Sequence, residues 1–151
     1  IILMWVFIHI WWYGKRWKIE QSIRSRPDIF SINYNYQCLD YKINAFVPEP
    51  SALQQAYEKQ LQTDPTTPTP YWAQVWPSAY ALCEFIATQP EWLQNKKVLE
   101  LAAGLGLPSL LAAQVATEVV CSDHVPAAVE LMQQSIEKNQ LTNIKVLIAH
   151  I

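Results

Sequence analysis

A chain of 151 residues, 51% of them apolar and 16% charged, is about one domain in size and can build a core, which excludes a disordered tail. Its formal charge of −2 gives no basic field of the kind that holds nucleic acid. Three cysteines, Cys38, Cys83 and Cys121, are too scattered for a disulfide framework and lack metal-ligand spacing; lone thiols fit a reducing, cytoplasmic setting and no metal is expected.

The chain opens with an apolar run, IILMWVFIHIWWY, followed by Lys15, Arg16 and Lys18. The run is shorter than the roughly 20 residues of a spanning helix, and a secretory signal would carry its charges first. Its bias towards Trp, Ile and Arg separates residues 1–38 from everything after them. The expectation is that this segment is not part of the native domain; a partial membrane anchor and a buried strand or helix are the rival readings. Residues 39–69 read as a strand-helix extension with a linker. YKINAFV (41–47) alternates as a short strand, ended by Pro48 and Pro50. Ser51 caps a helix running to residue 62, with Leu53, Ala56, Tyr57 and Leu61 on one face. TDPTTPTPYW (63–72) is rich in Pro and Thr and marks a loop. After Pro77 a second helix, 78–88, carries Ala79, Leu82, Cys83, Phe85 and Ile86 towards a core before Pro90 stops it.

From residue 96 the pattern is regular. KKVLELA (96–102) is a strand, AGLGLPS (103–109) a turn, and PSLLAAQVA (108–116) a helix with Pro108 in its first turn. EVVCS (118–122) is a second strand, ended by Asp123. A helix runs from Pro126 to Gln140, and IKVLIA (144–149) is a third strand. Strands that are near-continuous apolar runs, alternating with helices, make a doubly wound parallel α/β sheet with both faces covered. The chain stops at Ile151 inside the third strand, so the sheet is expected to be unfinished there.

In such sheets ligands bind beyond the carboxyl ends of the strands. Gly104 and Gly106 lie in the first strand-to-helix turn at that edge, where glycine permits positive φ and close approach. Asp123 ends the second strand at the same edge; an ionised acid only accepts hydrogen bonds and suits two ribose hydroxyls. Glu100 brings a second carboxylate into the turn. Two acids around a loop without Lys or Arg disfavour a polyphosphate and favour a ligand with ribose and a positive charge. S-adenosylmethionine has both. A dinucleotide is the rival, since GLGLPS matches G-x-G-x-x with Ser109 at the third small position. The plain alternative is an ordinary two-glycine turn, with Asp123 as a helix cap. His124 reads as a loop residue at the cofactor edge, Cys121 as a small core residue, and Tyr71 as a candidate for lining an acceptor pocket.

Three segments in order, PYWAQVWPSAYALCEFI (70–86), VLELAAGLGLPSLLAA (98–113) and VVCSDHVPAAVELMQQSIEKNQL (119–141), resemble the seven-strand S-adenosylmethionine-dependent methyltransferases of the protein-lysine and nicotinamide N-methyltransferase-like group. The resemblance covers residues 41–151. It implies a Rossmann-like doubly wound parallel sheet of the class I methyltransferases, of which 70–151 would be the cofactor-binding, N-terminal half. It implies S-adenosyl-L-methionine as cofactor and transfer of a methyl group to a nitrogen, of a protein lysine or a small amine, with neither nucleic acid nor membrane as partner. It also implies site roles. Trp76 would pack near the cofactor and Glu100 would sit at its methionine end. Ala102, Gly104 and Gly106 would form the loop beneath it. Asp123 would hold the ribose hydroxyls, and His124 would lie beside the adenine. Ala102 departs from the family, which has Gly there. The family's fourth-strand region, which completes the adenine and acceptor pockets, is expected beyond Ile151, so no catalytic residue is named. A non-catalytic, membrane-tethered or partner-binding module with a degenerate cofactor fold, and an NAD-binding oxidoreductase, are the competing functions.

Overall fold

The computed structural model describes residues 2–4 and 30–149; the basic stretch expected after the apolar opening lies outside them. A parallel sheet runs in the order β1 (Ile2–Met4), β4 (Lys97–Leu101), β5 (Glu118–Asp123), β6 (Ile144–Ile148). An antiparallel hairpin, β2 (Ser31–Cys38) and β3 (Tyr41–Pro48), stands apart from that sheet. The helices are α1 (Pro50–Thr63), α2 (Pro77–Thr88), α3 (Leu107–Ala112) and α4 (Pro126–Lys138). Short 3₁₀ turns cover Tyr71–Ala73 and Pro90–Trp92. No helix among the described residues is long and apolar enough to cross a membrane.

The core lies between one face of the sheet and the elements packed on it. Val98, Val119, Cys121 and Ile144 come from the sheet; Cys83 and Ile86 from α2; Leu107, Leu110 and Leu111 from α3; Met132 and Ile136 from α4; Ile43 and Ala45 from β3. All six residues of α3 are buried. Leu110 and Leu111 each contribute about 2 kcal/mol by leaving water. The other sheet face is less covered: Leu147 is 51% exposed.

The hairpin crosses residue 38, where composition had suggested a boundary. Ser31 pairs with Pro48 and Cys38 with Tyr41, so the two strands are in register throughout. Leu39, at φ +52°, turns the chain between them. Alternation of Ile32, Tyr34, Tyr36 and Cys38 is the strand signal in this stretch. The hairpin is held to the domain by polar side chains of α4 and its C-cap. Ser135 Oγ accepts from the Phe46 amide at 2.8 Å. Asn139 accepts from the Asn44 amide through Oδ1 at 2.9 Å and donates to the Asn44 carbonyl through Nδ2 at 2.6 Å. Residues four apart on a helix line up one turn above the other, which suits every second residue of a strand. Tyr34 and Tyr80 join hydroxyls at 3.1 Å, tying β2 to α2.

Two local expectations need correction. The cap of α1 is Glu49, not Ser51: its carboxylate accepts from the amides of Ser51 and Ala52 and from the Ser51 hydroxyl. A carboxylate serves an N-cap better than a hydroxyl because it carries charge to the positive end of the helix. Helix α3 ends at Ala112, short of the predicted residue 116. There the backbone tightens, with Gln114 N donating to Leu111 O and Val115 N to Ala112 O. The freed carbonyls of Ala113 and Ala116 are taken by Asn143 Nδ2 at 2.9 and 3.0 Å.

Candidate functional site

The turn between β4 and α3 sits at the carboxyl edge of the sheet, beside the end of β5. Its path is set by backbone bonds: Ala103 N donates to Ser122 O at 2.8 Å and Gly106 N to Ala103 O at 2.9 Å. Three residues of the turn lie in the left-handed region, Ala102 at φ +54°, Gly104 at +57° and Gly106 at +69°. The alternating Ala-x-Gly-x-Gly pattern is therefore a backbone requirement. Each glycine also has a close neighbour. A Cβ on Gly104 would stand 3.3 Å from the Trp72 carbonyl oxygen, and one on Gly106 would stand 2.7 Å from Met132 Sδ. The approach that these glycines permit is thus made by the protein itself.

Ala102 takes the same conformation with a methyl group attached and lies exposed. A left-handed alanine costs about 1 kcal/mol, partly offset because glycine is more entropic when unfolded. Ala102→Gly is expected to stabilise the fold by about 0.5 kcal/mol, read as a raised urea midpoint at unchanged slope. A lowered midpoint would show that the Ala102 methyl makes a contact worth more than its strain.

Asp123 is the link between the loop and the helix after it. Its Oδ2 accepts from the Gly104 amide at 2.8 Å, and its Oδ1 accepts from the Val125 amide at 2.9 Å. The side chain is 5% exposed, and His124 Nδ1 stands 3.5 Å from Oδ1 with its own ring half in solvent. A carboxylate has about four acceptor positions. Two are used by protein amides, so two remain for hydroxyl donors. The structure brings Asp123, His124 and Gly104 together.

Glu100 is placed differently. It is 2% exposed, under the loop, and its carboxyl receives the Ser109 hydroxyl. Burial pushes its pKa up to about 7, against the opposing pull of the Ser109 hydroxyl and amide. In this geometry it secures the first turn of α3. Ser109, by sequence only a small residue of the turn, is its partner; a hydroxyl two residues into a helix and a buried acid on the preceding strand are the signal. Trp76 caps α2, donates its indole N–H to Tyr71 O at 2.9 Å and packs on the Tyr71 ring at 5.9 Å between centroids. The residue of this segment that meets the glycine loop is Trp72, through its backbone. Cys83 and Cys121 are buried, and desolvation raises each thiol to about 12, so neither is a nucleophile. No group of three or more potential metal ligands occurs among the described residues.

A model of the lysine methyltransferase family matches residues 56–150. The human histone-arginine methyltransferase METTL23 is 36% identical over 74 residues, covering 48% of this chain and 39% of that protein. The calmodulin-lysine N-methyltransferase of Arabidopsis thaliana is 40% identical over 81 residues, covering 50% of this chain and 27% of that protein. The chain therefore spans well under half the length of these curated relatives. Among solved structures, the T. Thermophilus 16S rRNA N2 G1207 methyltransferase (RsmC), in complex with AdoMet and guanosine, superposes with a TM-score of 0.59 at 20% identity, covering 80% of this chain and 28% of that one. That likeness is one of fold: the α/β parallel sheet is part of the Rossmann-like class I methyltransferase architecture. The chain belongs to the lysine methyltransferase family.

Proposed function

We propose that this chain forms the cofactor-binding part of an S-adenosyl-L-methionine-dependent N-methyltransferase whose acceptor is a lysine side chain of a protein. The observation that carries the reading is the Asp123 carboxylate, which is bound to the Gly104 amide at 2.8 Å and still has acceptor capacity at the sheet edge. An uncharged loop, Ala102 to Ser109, lies beside it and offers no cation for a polyphosphate. The free thiols, Cys83 and Cys121 buried and Cys38 half-buried, suit a cytoplasmic setting.

When bound, the cofactor supplies a methyl group on a positively charged sulfur, open to displacement by a neutral amine. Asp123 would accept the two ribose hydroxyls. The turn from Ala102 to Gly106 would support the cofactor from below, with His124 at the adenine edge. Glu100 acts one layer deeper. Through Ser109 it holds the start of α3, and with it the far end of the loop. Trp76, ring against ring with Tyr71, would pack near the cofactor. The protein's own contribution is position: a displacement reaction gains most from holding two reactants in line and excluding water.

Calorimetry with S-adenosylhomocysteine tests the cofactor assignment. The protein is expected to bind it and to give no heat with NAD. Asp123→Ala is expected to weaken binding at least ten-fold, about 1.4 kcal/mol. Asp123→Asn, which keeps one acceptor oxygen, is expected to fall between the two. Unaltered affinity in both variants would remove Asp123 from the site. The acceptor is tested separately, by mass spectrometry of a cell extract incubated with isotopically labelled cofactor. Label on lysine supports the family reading. Label on arginine would favour the second reading that METTL23's name offers, and label confined to small amines would sink a protein acceptor.

A further inference from the structure

The hairpin has one closed edge and one open edge. Glu49 N donates to Phe30 O at 2.7 Å, and with the register this fixes which residues of the ladder bond inwards. Ile32, Tyr34, Tyr36 and Cys38 turn their backbone groups to β3, so those of Ser31, Asn33, Asn35 and Gln37 point outwards. On β3 the same alternation turns Lys42, Asn44 and Phe46 to the far edge, where the domain meets them. Gln114 Nε2 donates to Lys42 O at 3.0 Å, Asn139 bonds both the amide and the carbonyl of Asn44, and Ser135 Oγ accepts from the Phe46 amide. The outward backbone groups of β2 have no such partner among the described residues.

An open edge pairs with another chain unless a charge, a proline or a bulge prevents it. β2 has none of these. SINYNYQC is eight residues in unbroken register, without Lys, Arg, Asp, Glu, Pro or Gly; an ordinary strand has about five or six residues. One face of β2 rests on α2, where Tyr34 and Tyr36 meet Tyr80. The other carries Asn33, Asn35 and Gln37 to solvent. Asn33 Nδ2 already reaches Asn35 Oδ1 at 3.1 Å and Asn44 Oδ1 at 3.4 Å. A primary amide both donates and accepts, so a row of them complements a copy of itself.

We propose that the outer edge of β2 is a self-association surface, on which β2 of a second copy adds antiparallel and joins the two hairpins into one sheet. One two-fold register satisfies all four outward residues. It sets Ser31 opposite Gln37 of the second copy and Asn33 opposite its Asn35, with the axis at Tyr34. The same register sets Ile32, 46% exposed, opposite Tyr36, and Phe30, 75% exposed, opposite Cys38, so two exposed apolar side chains gain cover. Because β2 carries no charge, two copies meet without repulsion, and nothing in the strand selects an acidic or basic peptide instead. One pair of edges is narrow for an interface, so the dimer is expected to be weak and reversible.

Sedimentation of the full chain over a range of concentrations tests the pairing, together with backbone amide exchange in dilute and concentrated samples. The chain is expected to dimerise as concentration rises. The amides of Ser31, Asn33, Asn35 and Gln37 are expected to exchange fast in the monomer and about ten-fold more slowly in the dimer. Asn33→Lys/Asn35→Lys sets like charges opposite each other across the axis and is expected to weaken the dimer about five-fold. Asn33→Lys/Asn35→Glu sets opposite charges there and is expected to restore it. Both positions are exposed, so the hairpin itself is expected to form in either variant. A chain that stays monomeric at every concentration, or a dimer indifferent to the two lysines, overturns the proposal. Slow exchange of all four amides in the dilute monomer overturns it too, because the edge would then be paired within the chain. A Lys/Glu variant as weak as the Lys/Lys one overturns the two-fold register.

Discussion

Replacing Glu100 by Gln is expected to make the protein more stable above pH 7 and to flatten its stability between pH 5 and 8. The cause is burial. Glu100 is 2% exposed and its pKa in the fold stands at about 7, against an ordinary value of 4.5. Between those values the folded chain keeps a proton that the unfolded chain has released. Stability therefore falls as pH rises through this window and levels off above it. The full loss is about 3 kcal/mol, from a shift of that size at 1.36 kcal/mol per pH unit. Gln has no charge to desolvate and can still accept from Ser109. Urea midpoints at pH 5 and pH 8 check this. The wild type is expected to weaken between them, and Glu100→Gln to hold steady. An equal drop in both proteins would mean that another group titrates. Ser109→Ala is a useful companion: without its donor, the Glu100 carboxylate loses what favours ionisation, and the window should extend to higher pH.

Gly106→Ala is expected to cost about 3 kcal/mol, most of it from one contact. The φ of +69° alone makes alanine unfavourable by about 1 kcal/mol. The added methyl would then stand 2.7 Å from Met132 Sδ and 2.9 Å from Met132 Cγ. Met132 is 1% exposed and packed between α4 and the sheet, so it has little room to yield. Gly104→Ala shares the backbone penalty but meets only the Trp72 oxygen at 3.3 Å, so about half the cost is expected. Thermal or urea unfolding of the two variants compares them. A double-mutant cycle with Met132→Ala should recover about 1 kcal/mol or more of the Gly106→Ala loss. Equal costs at both glycines, and no coupling to Met132, would assign the whole effect to φ.

These two results bear on what the loop is for. Its glycines are often read as space for a ligand, yet here the space is occupied by Met132 and by the Trp72 backbone. The loop is first a tightly packed joint. It presents Ala102 outward, holds Gly104's amide on Asp123, and rests on the Glu100–Ser109 pair. A cofactor bound at this edge would meet a surface already fixed by the fold, which is the preorganisation that transfer chemistry needs.

Much of this could be read from residue order. The apolar runs at 98–101, 119–121 and 144–148, spaced by helical periods, dictate a parallel sheet because both faces of such strands seek cover. Asp123 was legible because it ends a strand at the edge where a glycine turn ends another, and edge positions follow from topology alone. The left-handed backbone at Gly104 and Gly106 was suggested by residue type, whereas that at Ala102 was not. Tertiary structure decided the rest. Which carboxylate takes the backbone amides at the sheet edge and which is sealed under the loop against Ser109 depends on where α3 packs; both acids are buried, and residue type alone does not separate their roles. The hairpin was half missed because the bias of residues 1–38 set them apart, although Ile32, Tyr34, Tyr36 and Cys38 alternate as a strand; its partner strand is held by Ser135 and Asn139, nearly a hundred positions away. The space lined by Tyr57, Tyr71 and Trp76 was invisible for the same reason. Tyr57, Tyr71 and Trp76 converge only after α1 and the Tyr71–Ala73 turn have docked. Local pattern decides which backbone segments form, whereas long-range packing decides what each side chain touches.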